Sequence, residues 1–186
     1  MHRIGNLKAL REKLSAMNVS AIIIPTNDPH FGEYTQDHYK VREWLSGFNG
    51  SAGTLVVTLK DAALWTDSRY FVQAAAQLQG SGIKLMRMKM EGTPSISQWI
   101  LQQYPEGELV AIDRSLFSYS EYEALCSDLA PCKVQLIDDI FDGLWEPPEI
   151  TVSGNSPSSL KHFQCSAYVA YDNLCAPGIF DGMWGS

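Results

Sequence analysis

A glycine-rich loop and the charged segment after it contain the residue types most suited to chemistry. The loop reads "GFNGSAG" from Gly47 to Gly53, and such loops can bind a phosphate through backbone N–H groups. However, no Lys-Ser/Thr pair follows it, and it precedes a predicted strand rather than the helix N-terminus that normally holds a phosphate. Ser51 directly follows Gly50, so the G-x-S-x-G spacing of a nucleophile turn is also missing. We interpret the loop as a tight turn that needs positive φ angles or a close approach of its backbone.

The segment "LWTDSRYF" places an arginine where a helix is expected to begin. Asp67 or Ser68 is suited to cap that helix, because both side chains accept hydrogen bonds from free backbone N–H groups. Arg69 then falls in the first turn, where a cation is slightly unfavourable against the helix dipole. Its position indicates a specific use, either an ion pair with a carboxylate or a contact with a ligand, and the local sequence leaves both open.

A third segment, "NDPHFGEY", offers Asp28, His30 and Glu33 as metal-ligand types. All three lie in one loop, and no partner motif with ligand spacing occurs elsewhere in the chain. An Asp-Pro turn in which Asp28 bonds its own backbone is favoured over a metal site. The chain also shows no readable nucleophile–base pair, so we expect neither a metal site nor catalytic residues within it.

Hydrophobic patterning predicts the elements that position these segments. Residues 3–17 have a helical apolar stripe, and "SAIIIP" is a short apolar run typical of a strand covered on both faces. "TLVVTL" and "AALWT" predict a hairpin, and strands alternate with short helices further along. The expected fold class is therefore α/β, with a mixed β-sheet flanked by helices.

Two local patterns predict helix starts, and one change of composition predicts a boundary. Ser95 with Gln98, and Ser120 with Glu123, match the capping box. From about residue 147 onward, periodicity is lost and Ser, Gly and Pro become frequent. We interpret residues 1–146 as the folded domain and 147–186 as an atypical tail, either poorly ordered or packed on the domain through its aromatic residues.

Bulk properties exclude some partners. The net charge of −7 gives a surface that repels nucleic-acid backbones, so no nucleic-acid binding is expected. No run of about 18 apolar residues occurs, so no membrane span is expected. The first residues, "MHRIGNLKAL", lack an apolar signal region, and we expect a cytoplasmic protein.

Three stretches together resemble the N-terminal domain of Xaa-Pro aminopeptidases, which is shared with creatinase. The combination of a glycine loop with a following W-T-D-x-R-Y-F segment is highly specific, and the similarity covers residues 1–146. It is closest to the long, cytosolic, three-domain type of this metallopeptidase. The matching stretches are "IIIPTNDPHFGEY", "VREWLSGFNGSAGTLVVT" and "AALWTDSRYFVQAAAQL".

The resemblance implies a fold and a role for Arg69. The family's N-terminal domain is a mixed sheet flanked by helices, similar to ribonuclease H. Its motif arginine, here Arg69, reaches toward the substrate, a peptide with penultimate proline. Asp28 and His30 are assigned to a candidate substrate-access loop. The full-length family enzyme is a hydrolase that uses two manganese ions held in a separate catalytic domain, and dimer contacts are also implied, so a homodimer is expected.

The tail does not align with the family, and no counterpart of the five metal ligands is recognisable. We therefore expect the chain to be inactive alone, with no cofactor of its own, as a truncated, frameshifted or expression-derived product would be. It would then contribute substrate access and dimer contacts. The alternative is a stand-alone, non-catalytic interaction module that pairs with a separate catalytic chain.

Overall fold

A six-stranded mixed sheet forms the centre of the domain in the computed structural model, which describes residues 2–29, 35, 37–138 and 140–146. The strand order across the sheet is β4-β3-β2-β1-β5-β6. The strands, in chain order, are β1 (Ala21–Ile24), β2 (Thr54–Thr58), β3 (Ala62–Thr66), β4 (Lys84–Arg87), β5 (Leu109–Asp113) and β6 (Lys133–Ile137).

Strand β2 runs opposite to the other five strands. It is antiparallel to both of its neighbours, β1 and β3, whereas the β1–β5, β5–β6 and β3–β4 pairs are parallel. The β2–β3 pair is the hairpin that the sequence predicts. The predicted mixed α/β sheet is therefore confirmed.

Among the described residues, five α-helices cover the two faces of the sheet. One apolar cluster joins α1, α2 and α3 to one face, and a second joins α4 and α5 to the other. The helices are α1 (His2–Ala16), α2 (Val41–Ser46), α3 (Phe71–Gln77), α4 (Ile96–Gln103) and α5 (Tyr119–Asp128). In the part of the chain that the structure describes, no helix has both the length and the apolar character needed to cross a bilayer.

Strand β1 shows why an unbroken apolar run was needed. All four of its residues are buried, with Ile22 and Ile24 in the first cluster and Ala21 and Ile23 in the second. Successive side chains of a strand point to opposite faces, so a strand covered on both sides has no position for a polar residue.

Most local predictions are confirmed and one is corrected. Helix α2 ends at Gly47 with a φ of 74°, and Ser95 with Gln98 forms the predicted capping box. The second box was wrong, because the helix begins two residues earlier and its cap is Ser118 with Glu121. The predicted tail, 147–186, lies outside the described residues.

Candidate functional site

Several chain segments converge at one edge of the sheet. The five strands that run in the same direction end there, and the antiparallel strand β2 begins there. Consequently, the residues after β1, β3 and β4 meet the glycine loop that leads into β2. This convergence brings together Thr26, the loop of residues 47–53, the Asp67–Tyr70 segment and residues 88–90.

A buried arginine, Arg42 of helix α2, holds the glycine loop in place. Its side chain is 6% exposed and donates to the carbonyl oxygens of Gly50 and, at 3.3 Å, Gly53. Its guanidinium also lies 5.0 Å from the centre of the Phe48 ring. Burial lowers the pKa of Arg42 to about 10, so the side chain stays charged at neutral pH. Backbone carbonyl oxygens thus stabilise a buried cation.

Two threonine hydroxyls fix the end of the same loop. Thr26 donates to the Gly53 carbonyl at 2.7 Å and accepts from the Gly53 N–H at 3.0 Å. Thr66 donates to the Ala52 carbonyl at 2.6 Å, and Arg42 also donates to the Thr26 hydroxyl at 2.9 Å. The loop is therefore attached to the ends of both β1 and β3.

Two glycines of the loop, Gly50 and Gly53, have neighbouring atoms too close to leave room for a side chain. A Cβ at Gly50 would lie 2.3 Å from the Phe48 ring and 2.8 Å from Tyr70. A Cβ at Gly53 would lie 2.8 Å from the guanidinium of Arg42. The predicted close backbone approach is confirmed, and the loop's carbonyl groups point at a cation rather than its N–H groups at an anion.

Tyr70 connects the glycine loop to the predicted site arginine. Its hydroxyl is 2.6 Å from the Ser51 hydroxyl, and its ring packs edge-on against Phe48 with centroids 5.9 Å apart. The guanidinium of the adjacent Arg69 lies 5.3 Å from the centre of the same ring. The loop therefore positions the aromatic surface on which Arg69 lies.

Arg69 and Asp67 form a two-pronged ion pair at the surface. Nε and Nη2 of Arg69 donate to the two carboxylate oxygens of Asp67 at 3.0 and 2.8 Å. Asp67 Oδ1 also accepts from the Arg69 backbone N–H at 3.0 Å, which caps the short 3-10 helix Ser68–Tyr70. The side-chain hydrogen bond to Arg69 holds the pKa of Asp67 below its ordinary value, and the carboxylate raises the pKa of Arg69.

This ion pair leaves one side of the arginine available. The Arg69 side chain is 68% exposed, and Nη1 has no hydrogen-bond partner among the described residues. The carboxylate thus accounts for the unfavourable position of Arg69 that the sequence indicated, and the rest of the guanidinium faces outward.

A cleft of about 530 Å³ opens beside the ion pair. Three segments line it, namely residues 52–54 at the start of β2, the start of the 3-10 helix with Phe71, and residues 88–90 after β4. Asp67 belongs to both the cleft and the ion pair. Lys89 has a φ of 62°, which turns the chain at the cleft wall.

The other candidate loop is placed only in part. Asp28 is 3% exposed and lies close enough to the half-buried Tyr39 to act on its charge. Burial, together with the negative charges of Asp28 and Asp113, raises the pKa of the Tyr39 phenol. His30 lies outside the described residues, so the assignment of Asp28 and His30 to a substrate-access loop stays a prediction.

The described residues do not fit a metal centre of the kind that the resemblance implies for the full-length enzyme. Across residues 2–29, 35, 37–138 and 140–146, no three His, Cys, Asp or Glu side chains come together to hold an ion. No chemical step through a metal is therefore derived for this part of the chain.

Arg42 and Tyr70 belong to this site, and local sequence patterns do not single them out. In "VREWLS" an arginine beside Val41 looks like an exposed helix residue, since arginine is rarely fully buried. One signal was available: Arg42 and Ser46, four residues apart, flank the apolar Val41–Leu45 stripe, so the buried face of a short helix includes both.

Comparison with known families gives a consistent result. The sequence profile described as the Creatinase/Prolidase N-terminal domain matches residues 6–144. The Xaa-Pro aminopeptidase ApepP of Drosophila melanogaster is 38% identical over 162 residues, which cover 86% of this chain and 26% of the fly protein. Xaa-Pro aminopeptidase 2 of Rattus norvegicus is 42% identical over 142 residues, which cover 75% of this chain and 21% of the rat protein.

Solved structures agree with the sequence comparison. The X-prolyl aminopeptidase from Caenorhabditis elegans, described as a cytosolic enzyme with a di-nuclear active site, gives a TM-score of 0.70 at 28% identity. That match covers 80% of this chain and 26% of the worm protein. An N-terminal domain from Corynebacterium diphtheriae, described as creatinase/prolidase-like, shares the fold, with a TM-score of 0.53 at 19% identity over 74% of this chain and 98% of that domain.

Proposed function

The chain belongs to the creatinase/prolidase N-terminal domain family, and from that premise we propose that it acts as the substrate-contacting N-terminal domain of an Xaa-Pro aminopeptidase. It spans 26% of the fly relative's length and 21% of the rat relative's length. The proposed role is to contact a peptide with penultimate proline at the edge of the sheet where the glycine loop and Arg69 meet.

The observation that supports this role best is the outward-facing part of the Arg69 guanidinium. Asp67 fixes the orientation of the side chain through two hydrogen bonds, so little side-chain entropy remains to be lost on binding. The same carboxylate neutralises the cation. The remaining N–H groups therefore suit a neutral peptide carbonyl oxygen better than they suit a charged group.

The experiment that tests this role is a titration of the purified 186-residue chain with the tripeptide amide Ala-Pro-Ala-NH₂. Nitrogen-15 labelling of arginine makes the Arg69 Nε–H signal a direct reporter. We expect saturable shifts of that signal in the unaltered chain. Isothermal titration calorimetry measures the affinity of every variant, and the Arg69→Gln substitution should weaken binding at least fivefold, because a charged hydrogen bond contributes about 1.5–3 kcal/mol before screening by solvent.

A charge-matched control separates a local effect from a general one. Lys8→Gln removes one positive charge from α1, where the Lys8 side chain is 79% exposed in an i,i+4 pair with Glu12. This variant should bind the tripeptide amide as the unaltered chain does. Equal binding by the Arg69→Gln variant would refute the proposed contact.

The proposal extends to the whole enzyme of which such a domain is part. We infer a dinuclear manganese hydrolase that works in the cytosol, as a homodimer, with chemistry supplied by residues other than those described here. The purified chain should then show no turnover of an Xaa-Pro peptide with added manganese. Turnover that survives repurification would contradict this division of labour, and sedimentation velocity would test the homodimer.

A further inference from the structure

We propose that the cleft beside Asp67 binds the carboxyl-terminal residue of a short peptide, with the carboxylate at the cationic rim and an apolar side chain against the cleft wall. This site is separate from the contact to Arg69. The inference deepens the proposed function, on which it rests, by naming the part of the substrate that the cleft receives.

The wall of the cleft is apolar and accessible. Phe71, Met88 and Met90 line it, and the two methionines are 44% and 53% exposed. Exposed methionines are uncommon, and their flexible thioethers adapt to side chains of different shapes. The volume of about 530 Å³ falls within the range of small-ligand sites. An aliphatic or aromatic side chain would therefore remove apolar surface from water on both partners.

The rim of the cleft is positively charged in an otherwise acidic protein. The whole chain has a net charge of −7, but three cations and one lining carboxylate surround this cleft. The guanidinium of Arg87 lies 5.6 Å from the centre of the Phe71 ring, and Lys89 is close enough to help lower the pKa of Asp67. Arg69 is the third cation, and it already neutralises Asp67. Glu91 follows the wall without lining the cleft.

The combination of charge and apolar surface selects one ligand chemistry. Arg87 and Lys89 leave a positive charge that Asp67 does not cancel, so a carboxylate is favoured over an amine or an amide. The wall adjoining those cations favours an apolar side chain on the same residue. A terminal residue such as leucine or phenylalanine carries both groups within a few ångströms of each other.

The position of the cleft suits a peptide that also reaches Arg69. Asp67 lines the cleft and bonds Arg69, so the two contacts lie side by side. An extended peptide advances about 3.3–3.6 Å per residue, so a short peptide bound at Arg69 extends toward the cleft on the other side of Asp67. The cleft would thus favour short substrates with a free carboxyl end.

The test uses N-acetyl-leucine and its carboxamide, which lack proline and need no contact with Arg69. The full chain, labelled with carbon-13 at its methionine methyl groups, is titrated with each compound at low salt. N-acetyl-leucine should shift the Met88 and Met90 signals saturably, and the carboxamide should bind at least tenfold more weakly. Equal binding of the two compounds, or no change at either methionine, would overturn the proposal.

Substitutions define which cations are used. Arg87→Gln and Lys89→Gln should each weaken N-acetyl-leucine binding three- to tenfold. Lys60→Gln, which removes the same charge from the tip of the β2–β3 hairpin, should leave it unchanged, and circular dichroism checks that each variant is folded. An equal loss in the Lys60 variant would show only a general charge effect and would refute the assigned site.

The same variants separate this proposal from the proposed function. Arg69→Gln should weaken the tripeptide amide more than N-acetyl-leucine, whereas Lys89→Gln should do the reverse. If Arg69→Gln failed to weaken binding of the tripeptide amide while Lys89→Gln still weakened binding of N-acetyl-leucine, the Arg69 contact would be refuted and the cleft site would stand. If Lys89→Gln left N-acetyl-leucine binding unchanged while Arg69→Gln still weakened binding of the tripeptide amide, the cleft site would be refuted and the Arg69 contact would stand.

Discussion

Two arginines at the same edge of the sheet are used in opposite ways. Arg42 is buried and donates to carbonyl oxygens of the glycine loop, whereas Arg69 is exposed and is held by the carboxylate of Asp67. Burial lowers the pKa of Arg42, and the ion pair raises that of Arg69. A buried cation organises the loop, and the organised loop positions a second cation that faces solvent.

The two arginines differ in what their contacts stabilise. Removing Arg42 would leave the buried Gly50 carbonyl oxygen without its described donor, whereas the Gly53 carbonyl would keep the Thr26 hydroxyl. A buried acceptor left without a donor lowers stability. Removing Arg69 would expose Asp67 to solvent at little cost. We therefore expect Arg42 to determine stability and Arg69 to determine binding.

The same substitution at both arginines gives the largest expected contrast. Arg42→Met keeps most of the side-chain volume but removes every donor, and it should lower the free energy of unfolding by about 2–4 kcal/mol. Arg69→Met should change it by about 0.5 kcal/mol or less. Urea unfolding followed by tryptophan fluorescence measures both. Similar losses in the two variants would remove the distinction between them.

The glycine loop offers the next contrast. Gly50→Ala places a methyl group against Phe48 and Tyr70, and it should lower stability by about 1–3 kcal/mol through overpacking. Gly5→Ala, in helix α1 with no atom within 4 Å of the new Cβ, should raise stability by about 0.5–1 kcal/mol. Thermal unfolding of both variants checks the sign, and a neutral Gly50→Ala would contradict the close packing described above.

Tyr70→Phe tests the link between the two arginines. The substitution removes the 2.6 Å bond to Ser51 while keeping the ring beside Phe48 and Arg69. Because that bond is exposed, stability should fall by only about 0.5 kcal/mol. Nitrogen-15 relaxation should show a more mobile Arg69 side chain. An unchanged Arg69 would mean that Asp67 alone fixes its orientation.

The smallest expected effect is the pH dependence of the Asp67–Arg69 pair. The pKa of the Asp67 carboxyl lies below its ordinary value of 3.8 in the folded chain. The ion pair therefore contributes to the free energy of unfolding above pH 3.8, and this contribution is lost as the pH falls through the pKa of the folded state. The Arg69 Nε–H signal should therefore shift only below about pH 3.8. Asp67→Asn should abolish that shift, and a titration near neutral pH would contradict the assignment.

Patterns of apolar residues predict the sheet because both faces are covered. The run at β1 and the hairpin of β2 with β3 follow directly from strand periodicity, and the Ser95 cap follows from side-chain chemistry. The cap of α5 was predicted two residues too late, because "SYSEYE" contains two overlapping capping boxes, Ser118 with Glu121 and Ser120 with Glu123. Both boxes have the residue types of a helix start, and the structure forms the first of them.

The site was harder to predict than the sheet. The unusual position of Arg69 can be read from the sequence, because the start of a helix is predicted from neighbouring residues and the helix dipole disfavours a cation there. The role of Arg42 is not, since its acceptors at Gly50, Gly53 and Thr26 are brought near only by folding. The cleft likewise joins residues 52–54 to 88–90, which no local pattern connects.

The strand order divides the sheet into two consecutive blocks of chain. Strands β1 to β4 form one side of the β1–β5 boundary, and β5 with β6 form the other. The first block supplies α1, α2 and α3 for one face, but the opposite face, including Trp65, is covered by α4 and α5 from the second block. A cut between β4 and α4 would therefore yield two complementary fragments. The fragment carrying β1 to β4 would expose the apolar face that α4 and α5 cover in the intact domain.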